Sequence, residues 1–205
     1  MIRDAQGKKR RLDYELIEAL VPAGSRVLDL GCGDGQLLDE LMRQKHCQGR
    51  GIEIDERAVS EAIQRGVPVY HGDMLEGMTH FRDHSFDVVI LSQTLQQTHK
   101  PLAVIREMLR VGEVAIISFP NFGHWRVRLQ LLLRGRMPVT RQLPYTWYDT
   151  PNVHLCTIAD FRKLCADEGL TVVREIFLST PDKRIGPLAA NIRAELAIFQ
   201  LKRGG

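Results

Sequence analysis

Apolar residues follow two patterns along this chain: short runs typical of strands and longer repeats typical of amphipathic helices. Leucine and isoleucine recur at helical spacing over residues 10–21, and Pro22 and Gly24 end that predicted helix. The run FDVVIL is almost wholly apolar, as expected for a strand buried on both faces of a parallel sheet. The predicted strands are 26–30, 51–54, 67–70, 86–91 and 114–119, and the helices that follow them are 36–44, 56–65 and 101–110. This alternation predicts βαβ units with right-handed crossovers.

The pattern changes after Pro120. Both tryptophans and a group of arginines fall in the next 36 residues, 121–156. Regular order resumes where Thr157 and Asp160 fit a capping box, at the start of a helix that ends at Gly169. Two β-rich segments, 171–178 and 195–201, complete the chain.

These elements together predict a single domain over residues 1–205. Its fold class is α/β, with a doubly wound, mostly parallel sheet of seven strands, a Rossmann-like arrangement. The helix at 10–21 precedes the sheet, and the segment at about 120–156 is expected to form a lid or insert.

Composition narrows the function classes. The chain has 205 residues, of which 44% are hydrophobic, so it is long enough for a full core. Its net charge of +3 does not favour nucleic-acid binding. The N-terminus has no apolar segment typical of a secretory signal, so we expect a cytoplasmic protein. The cysteines lack the spacing of metal sites and are expected to be reduced, with no metal bound: Cys32, Cys47, Cys156 and Cys165.

The sequence VLDLGCGDG places three glycines at alternate positions directly after the first predicted strand. A dinucleotide site favours the wider spacing G-x-G-x-x-G, which brings a pyrophosphate to a helix N-terminus. Acids flank the present glycines at Asp29 and Asp34. A carboxylate repels a phosphate and attracts an ammonium group, so the loop favours a ligand with an amine and no pyrophosphate.

Two further acids extend this interpretation. Glu53 ends the second strand, where a carboxylate can accept hydrogen bonds from both hydroxyls of a ribose. Asp73 follows the third strand and can accept a hydrogen bond from an adenine amino group. An amino acid, a ribose and an adenine together indicate S-adenosylmethionine, or S-adenosylhomocysteine, as the cofactor.

The motifs VLDLGCGDG, GIEID, HGDM and FDVVILSQTL resemble, in order and spacing, those of the class I S-adenosylmethionine-dependent methyltransferases. The resemblance implies that the loop backbone lies against the methionine part of the cofactor, that Glu53 holds the ribose and that Asp73 lies by the adenine. The expected cofactor-binding residues are Asp29, Gly31, Cys32, Gly33, Gly35, Glu53, Ile54, Asp73, Met74, Ser92 and Gln93.

A second resemblance is more specific. The segments FPNFGHWR, RGRMPV and PYTWYDTPNVHLCT are similar to those of the MetW family of methionine biosynthesis proteins. This resemblance implies a methyltransferase-like protein that binds S-adenosylmethionine and serves as a partner or regulator of homoserine O-acyltransferase. The alternative is a free-standing methyltransferase that acts on a small carboxylate-bearing molecule. In the first case methyl transfer is either absent or secondary to the partner role, and the sequence does not specify whether the cofactor is a signal or a substrate.

Catalytic residues are not defined by the sequence. The loops after the fourth and fifth strands usually supply a base for methyl transfer, and they contain His99 and His124. Tyr145 is a third candidate. For both histidines a structural or surface role competes with the catalytic one.

The segment 121–156 allows several interpretations. Its arginines alternate with aromatic and leucine residues, and no acid occurs between residue 121 and Asp149. This composition is typical of protein interfaces, but it also fits a lid over the sheet or a site for an anionic acceptor. RNA binding is less favoured because no known RNA-binding module is present. The arginines are Arg126, Arg128, Arg134, Arg136 and Arg141.

Overall fold

A computed structural model describes residues 12–140, 143–179 and 183–204, and one sheet runs through this part of the chain. Its strands are β1 (Arg26–Leu30), β2 (Gln48–Glu53), β3 (Val69–His71), β4 (Phe86–Ser92), β5 (Gly112–Pro120), β6 (Thr171–Ser179), β7 (Lys183–Ile185) and β8 (Leu196–Lys202). Their order across the sheet is β3-β2-β1-β4-β5-β8-β6-β7. Strands β1 to β5 are parallel, whereas β8 is antiparallel to both β5 and β6.

Helices cover both faces of this sheet. They are α1 (Leu12–Leu20), α2 (Gln36–Lys45), α3 (Glu56–Gln64), α4 (Met74–Thr79), α5 (Pro101–Val111), α6 (Trp125–Arg134), α7 (Ile158–Asp167) and α8 (Ala190–Arg193). Buried side chains of α1, α2 and α3 pack in one core cluster, and those of α4, α5 and α7 pack in the other. The doubly wound α/β prediction is confirmed.

Aromatic side chains mark the core on the α7 face. The rings of Phe119, Phe161 and Phe199 are all buried, and their centroids lie 4.7 to 5.7 Å apart. These rings join β5, α7 and β8. The C-terminal strands are thereby fixed to the parallel half of the sheet.

The predicted count of seven strands is wrong by one. The additional strand, β7, forms an antiparallel edge with β6 and is only three residues long. Its sequence, Lys-Arg-Ile, has no alternation of apolar and polar residues, so no pattern identified it. The short helices α4 and α8 were also not predicted, because six and four residues are too few for a helical repeat.

The predicted capping box is confirmed. The Thr157 hydroxyl oxygen accepts a hydrogen bond from the Asp160 backbone amide at 3.1 Å, and the Asp160 carboxylate accepts one from the Thr157 amide at 3.3 Å. The first two residues of the helix predicted at 10–21 lie outside the described residues, as does Arg141. Among the described helices, none combines the length and apolar character that a membrane span needs.

The strand order determines where a ligand can bind. β1 lies between β2 and β4, and the connections from β1 and from β3 go to opposite faces of the sheet. Open α/β sheets bind ligands at such a switch point, in the crevice outside the carboxyl ends of the strands.

Candidate functional site

A cleft of about 620 Å³ opens at the carboxyl ends of β1, β2 and β4. Most of the predicted cofactor-binding residues line it, namely Gly31, Gly33, Glu53, Ile54, Asp73, Met74, Ser92 and Gln93. They come from four separate loops, so the fold assembles the site from distant parts of the chain.

The glycine loop after β1 is shaped by backbone geometry. The amides of Gly31 and Cys32 both donate to the Ile52 carbonyl, at 2.8 and 3.2 Å, so the loop turns tightly across the end of β2. Gly33 has a φ of +56°, and a Cβ added there would meet no atom within 4 Å. Its backbone therefore faces open space that a ligand can occupy at close range.

Glu53 ties this loop to the next one. Its Oε2 atom accepts a hydrogen bond from the Gly33 amide at 2.8 Å, and its Oε1 atom accepts from the amides of Ile54 and Asp55, at 2.8 and 3.0 Å. Each carboxylate oxygen has two acceptor sites, so Oε1 is filled by its two amides and Oε2 keeps one site that can accept from a ribose hydroxyl. A second carboxylate fixes the other side of the loop, because Arg65 pairs with Asp34 at 2.9 Å.

Asp73 begins α4. Its Oδ1 atom accepts from the amides of Leu75 and Glu76, at 2.8 and 3.2 Å, as an N-cap side chain does. Both bonds go to one oxygen, and Asp73 also lines the cleft beside Met74. The capping bond orients a carboxylate that can meet an adenine amino group.

A buried polar network supports the loop after β4. The Asp13 carboxylate, 2% exposed, accepts hydrogen bonds from the Ser92 hydroxyl at 3.1 Å and the Gln93 side-chain amide at 2.8 Å. Gln93 has a positive φ of 53°, and its backbone amide is held by the Ser118 carbonyl at 2.9 Å. The next residue of α1, Tyr14, lines the cleft itself.

Asp13 and Tyr14 are site residues that were not predicted from the sequence. The available signal was an acid at position 13, one helical turn before Ile17 and therefore on the buried face of α1. Its partners are 79 and 80 residues away in sequence, and no local pattern identifies contacts at that separation.

Three of the expected cofactor-binding residues, Asp29, Cys32 and Gly35, are not part of the cleft lining. The Cys32 side chain packs in the core against Gly51 and Leu38, and burial together with nearby carboxylates raises the pKa of its thiol. Asp29 is buried in β1. A Cβ at Gly35 would lie 2.9 Å from the Ala62 Cβ, so this glycine allows α2 and α3 to approach each other.

The catalytic candidates lie in three different places. His99 lines the cleft, next to Lys100. His124 is buried at the N-terminus of α6 and lines a separate cavity of about 140 Å³ with Glu195, and its burial lowers the pKa of the imidazole. Tyr145 lines a groove of about 150 Å³. Proximity to the cleft therefore favours His99 alone.

The segment 120–156 does not cover the cleft. None of its described residues is part of the cleft lining. Instead its side chains form the groove that contains Tyr145. The cysteines at its end and in α7 do not supply a nucleophile, since burial raises the pKa of Cys156 to about 12 and that of Cys165 to about 11.

Comparison with known proteins identifies the family. A family model described as methionine biosynthesis protein MetW matches residues 11–201. The chain is also 36% identical over 203 residues to the bifunctional methionine biosynthesis protein MetXA/MetW of Rhodopirellula baltica. That match covers 94% of this chain and 33% of the relative, so the chain spans about a third of the relative's length.

Solved structures agree on the fold. Magnesium protoporphyrin IX methyltransferase (ChlM) from Synechocystis PCC 6803, with S-adenosylhomocysteine bound, matches with a TM-score of 0.61 and 20% identity, over 94% of this chain and 80% of that one. The [4+2]-cyclase SpnF matches with a TM-score of 0.66 and 18% identity, over 99% of this chain and 84% of that one. These structural matches establish the methyltransferase-like fold, and the reaction has to be argued from the residues of the site.

Proposed function

Because the chain belongs to the MetW family of methionine biosynthesis proteins, we propose that it binds S-adenosylmethionine and regulates homoserine O-acyltransferase as its partner. The observation that carries the first part is the cleft at the switch point, where the Glu53 carboxylate clamps the glycine loop. The second part is supported by the bifunctional relative, whose name joins MetXA and MetW on one chain.

The residues of the cleft fit this cofactor. The backbone of Gly31 and Gly33 would hold the methionine part, the Glu53 Oε2 atom a ribose hydroxyl and Asp73 the adenine amino group. Met74 offers an apolar side chain beside the Asp73 cap for packing on the adenine. S-adenosylmethionine supplies an activated methyl group when it is bound.

A regulatory role has a physical rationale. S-adenosylmethionine is made from methionine, so its concentration reports the output of the pathway in which the acyltransferase acts. A ligand changes the activity of a partner only if it binds one state of the complex more tightly than another. The proposed role therefore requires that the affinity for S-adenosylmethionine differ between the free and the partner-bound protein.

The second candidate function is methyl transfer to a small carboxylate-bearing molecule. His99 and Lys100 both line the cleft, and the Lys100 ammonium can pair with a carboxylate. His99 would then be the base, since imidazole is the side chain that most often transfers protons in enzymes. The neighbouring amide and hydroxyl side chains, Gln97 and Thr98, can orient an acceptor by hydrogen bonding.

One experiment separates the two functions. The rate of homoserine O-acyltransferase from the same organism is measured with and without this protein, across a titration of S-adenosylmethionine. We expect the rate to depend on the protein and to change further with the cofactor. An acyltransferase rate that is unchanged at every ratio would contradict the partner role and leave methyl transfer.

The Glu53→Ala variant distinguishes the two candidate functions in a second way. It removes the acceptor of three backbone amides, so we expect binding of S-adenosylmethionine to fall at least tenfold by calorimetry. A methyltransferase would lose its activity with this change. A partner protein would keep its effect on the acyltransferase and lose only the response to the cofactor.

A further inference from the structure

The groove beside Tyr145 has the form of a docking site. Side chains of Met137, Tyr145, Trp147 and Leu155, between 42% and 74% exposed, line it. Its floor contains Leu143, which is only 7% exposed. An exposed apolar rim over a buried apolar floor is the arrangement that receives an anchoring side chain at protein interfaces. A volume of about 150 Å³ suits one large apolar side chain rather than a cofactor.

We propose that this groove is the surface on which homoserine O-acyltransferase docks, an inference that rests on the proposed function. The occupant is argued from the bifunctional relative, in which a chain three times as long carries both names and keeps a MetW-like part beside the rest of the protein. This chain is 36% identical to that relative over 94% of its own length, so it matches there across the residues of the groove.

Charge around the groove specifies the partner further. The exposed residues Arg134 and Arg136 directly precede Met137, and the sequence has no acid between residue 121 and Asp149. One end of the groove-lining segment therefore carries exposed cationic side chains, whereas the exposed Asp149 lies between the groove residues Trp147 and Thr150. A complementary partner surface presents an apolar side chain with Asp or Glu on the side that meets Arg134 and Arg136.

The groove is also connected to the cofactor cleft. Val153 lines the groove, and the backbone amides of Val153 and His154 donate to the Gln96 carbonyl at 2.8 and 3.0 Å. Gln96 is 7% exposed, and its side-chain amide donates to the Gln93 carbonyl at 2.7 Å. Gln93 lines the cleft, so Gln96 forms a bridge between the two sites. A ligand that displaces Gln93 would therefore also shift Gln96 and the backbone at Val153 and His154 that it holds.

Docking is tested with the full chain and purified homoserine O-acyltransferase from the same organism. Trp147→Ala removes the groove's most exposed ring, and we expect at least tenfold weaker binding of the acyltransferase, with Trp147→Phe restoring part of it. Leu132→Ala is the matched control, because Leu132 is 81% exposed on α6 and does not line the groove. The affinity for S-adenosylmethionine should be unchanged in both variants, which shows that each is folded.

The outcomes distinguish this inference from the function on which it rests. If the unmodified protein neither binds nor affects the acyltransferase, the proposed function is wrong. If the unmodified protein binds the acyltransferase and Trp147→Ala binds it equally well, the proposed function stands and the assignment of the docking site to the groove is wrong. Loss of self-association in Trp147→Ala, measured by analytical ultracentrifugation, with normal acyltransferase binding would identify the groove as an interface between copies of this chain and also overturn the inference.

A separate variant, Gln96→Leu, tests the bridge between the cleft and the groove. Gln96→Leu removes the side-chain amide bond to Gln93 and keeps the backbone carbonyl that holds Val153 and His154. We expect each ligand to bind within about threefold of its normal affinity, while the effect of S-adenosylmethionine on docking falls to less than twofold. An effect of the cofactor that is as large in Gln96→Leu as in the unmodified protein would contradict the bridge.

Discussion

Gly33 combines two separable features, a positive φ and a position that opens onto the cleft. An alanine at a φ of +56° costs about 1 kcal/mol of stability, because the Cβ of an L residue is crowded in the left-handed region. Its methyl group would also extend into the cleft that Gly33 lines. We predict that Gly33→Ala lowers the affinity for S-adenosylmethionine at least tenfold, as measured by calorimetry.

Gly66→Ala is the control for this prediction. Gly66 has a φ of +84° with no atom within 4 Å of an added Cβ, so the backbone strain is similar. It ends the α3 segment away from the cleft lining. Equal losses of cofactor affinity in the two variants would mean that backbone strain, and not the position of Gly33, accounts for the effect.

Individual site residues differed in how far the sequence could predict them. The places of Glu53 and Asp73 in the cleft lining were predictable because Glu53 ends one predicted strand and Asp73 follows the next. Cys32 was not, since successive residues of a glycine loop face different sides and the sequence does not specify which side meets the core. The contacts of Gln96 were not predictable either, because its partners at 153 and 154 come from a segment without regular structure.

At the scale of elements, α1 depends on one buried carboxylate. Asp13→Ala leaves the Ser92 hydroxyl and the Gln93 amide without this acceptor in a buried site, at a cost of about 1–3 kcal/mol. We predict faster amide hydrogen exchange across α1 and weaker binding of S-adenosylmethionine, because Tyr14 reaches the cleft from this helix.

Asp39→Ala on α2 provides the comparison for Asp13. The Asp39 carboxylate pairs with the largely exposed Arg43 at 2.7 Å, and such surface pairs contribute about 0.2–1 kcal/mol. Exchange in α1 should remain normal in this variant. Unchanged exchange in α1 of Asp13→Ala would show that the apolar contacts of Ile17 hold the helix without the polar network.

The start of α6 makes stability depend on pH through His124. Burial lowers the pKa of this imidazole, with Glu195 and Arg126 as its charged neighbours. Below the usual value of about 6.5 the unfolded chain binds a proton that the folded state resists. The free energy of unfolding should therefore be highest above pH 6.5 and fall as the pH decreases, by up to about 1.4 kcal/mol per pH unit.

Urea denaturation at pH 7.5 and 5.5 measures this dependence. His124→Asn keeps a polar residue at the N-cap position and removes the titrating group, so the variant should lose less stability between the two pH values. The other histidines are common to both proteins, and their contributions cancel in the difference. Identical losses in the two proteins would exclude His124 as a source of acid sensitivity.

Elements were predictable in proportion to their length and regularity. The parallel strands and the helices between them have strong apolar patterns, and their predicted bounds lie within a few residues of the observed ones. By contrast, α6 exposes apolar residues, since Leu132 and Leu133 are 81% and 72% exposed. Its sequence therefore lacks the separate apolar and polar faces by which a helix that packs on a core is recognised.

At the scale of the whole molecule, the cleft and the groove are lined by different residues in the described part of the chain, and the short bridge through Gln96 joins them. A single rigid unit that holds both sites would bind two ligands independently. The bridge makes dependence between them physically reasonable, because a buried hydrogen-bonded residue cannot adjust to one site without affecting the other. The regulatory proposal therefore predicts a coupling free energy between the binding of S-adenosylmethionine and the binding of the acyltransferase. This free energy can be measured by titrating either ligand.

That coupling must be reciprocal. If S-adenosylmethionine changes the affinity of this protein for homoserine O-acyltransferase by some factor, the acyltransferase changes its affinity for S-adenosylmethionine by the same factor. We predict a factor of at least five, corresponding to about 1 kcal/mol. Calorimetric titration of the cofactor into the free protein and into the complex gives one value, and titration of the acyltransferase with and without saturating cofactor gives the other.

Two factors that agree at five or more would close the thermodynamic cycle and establish that the cofactor acts as a signal. Factors of one in both directions would mean that the acyltransferase docks without sensing the cofactor, and the regulatory role would be excluded. Gln96→Leu supplies the structural part of the argument, since loss of coupling with both affinities retained would assign the linkage to the hydrogen bond that joins Gln96 to Gln93.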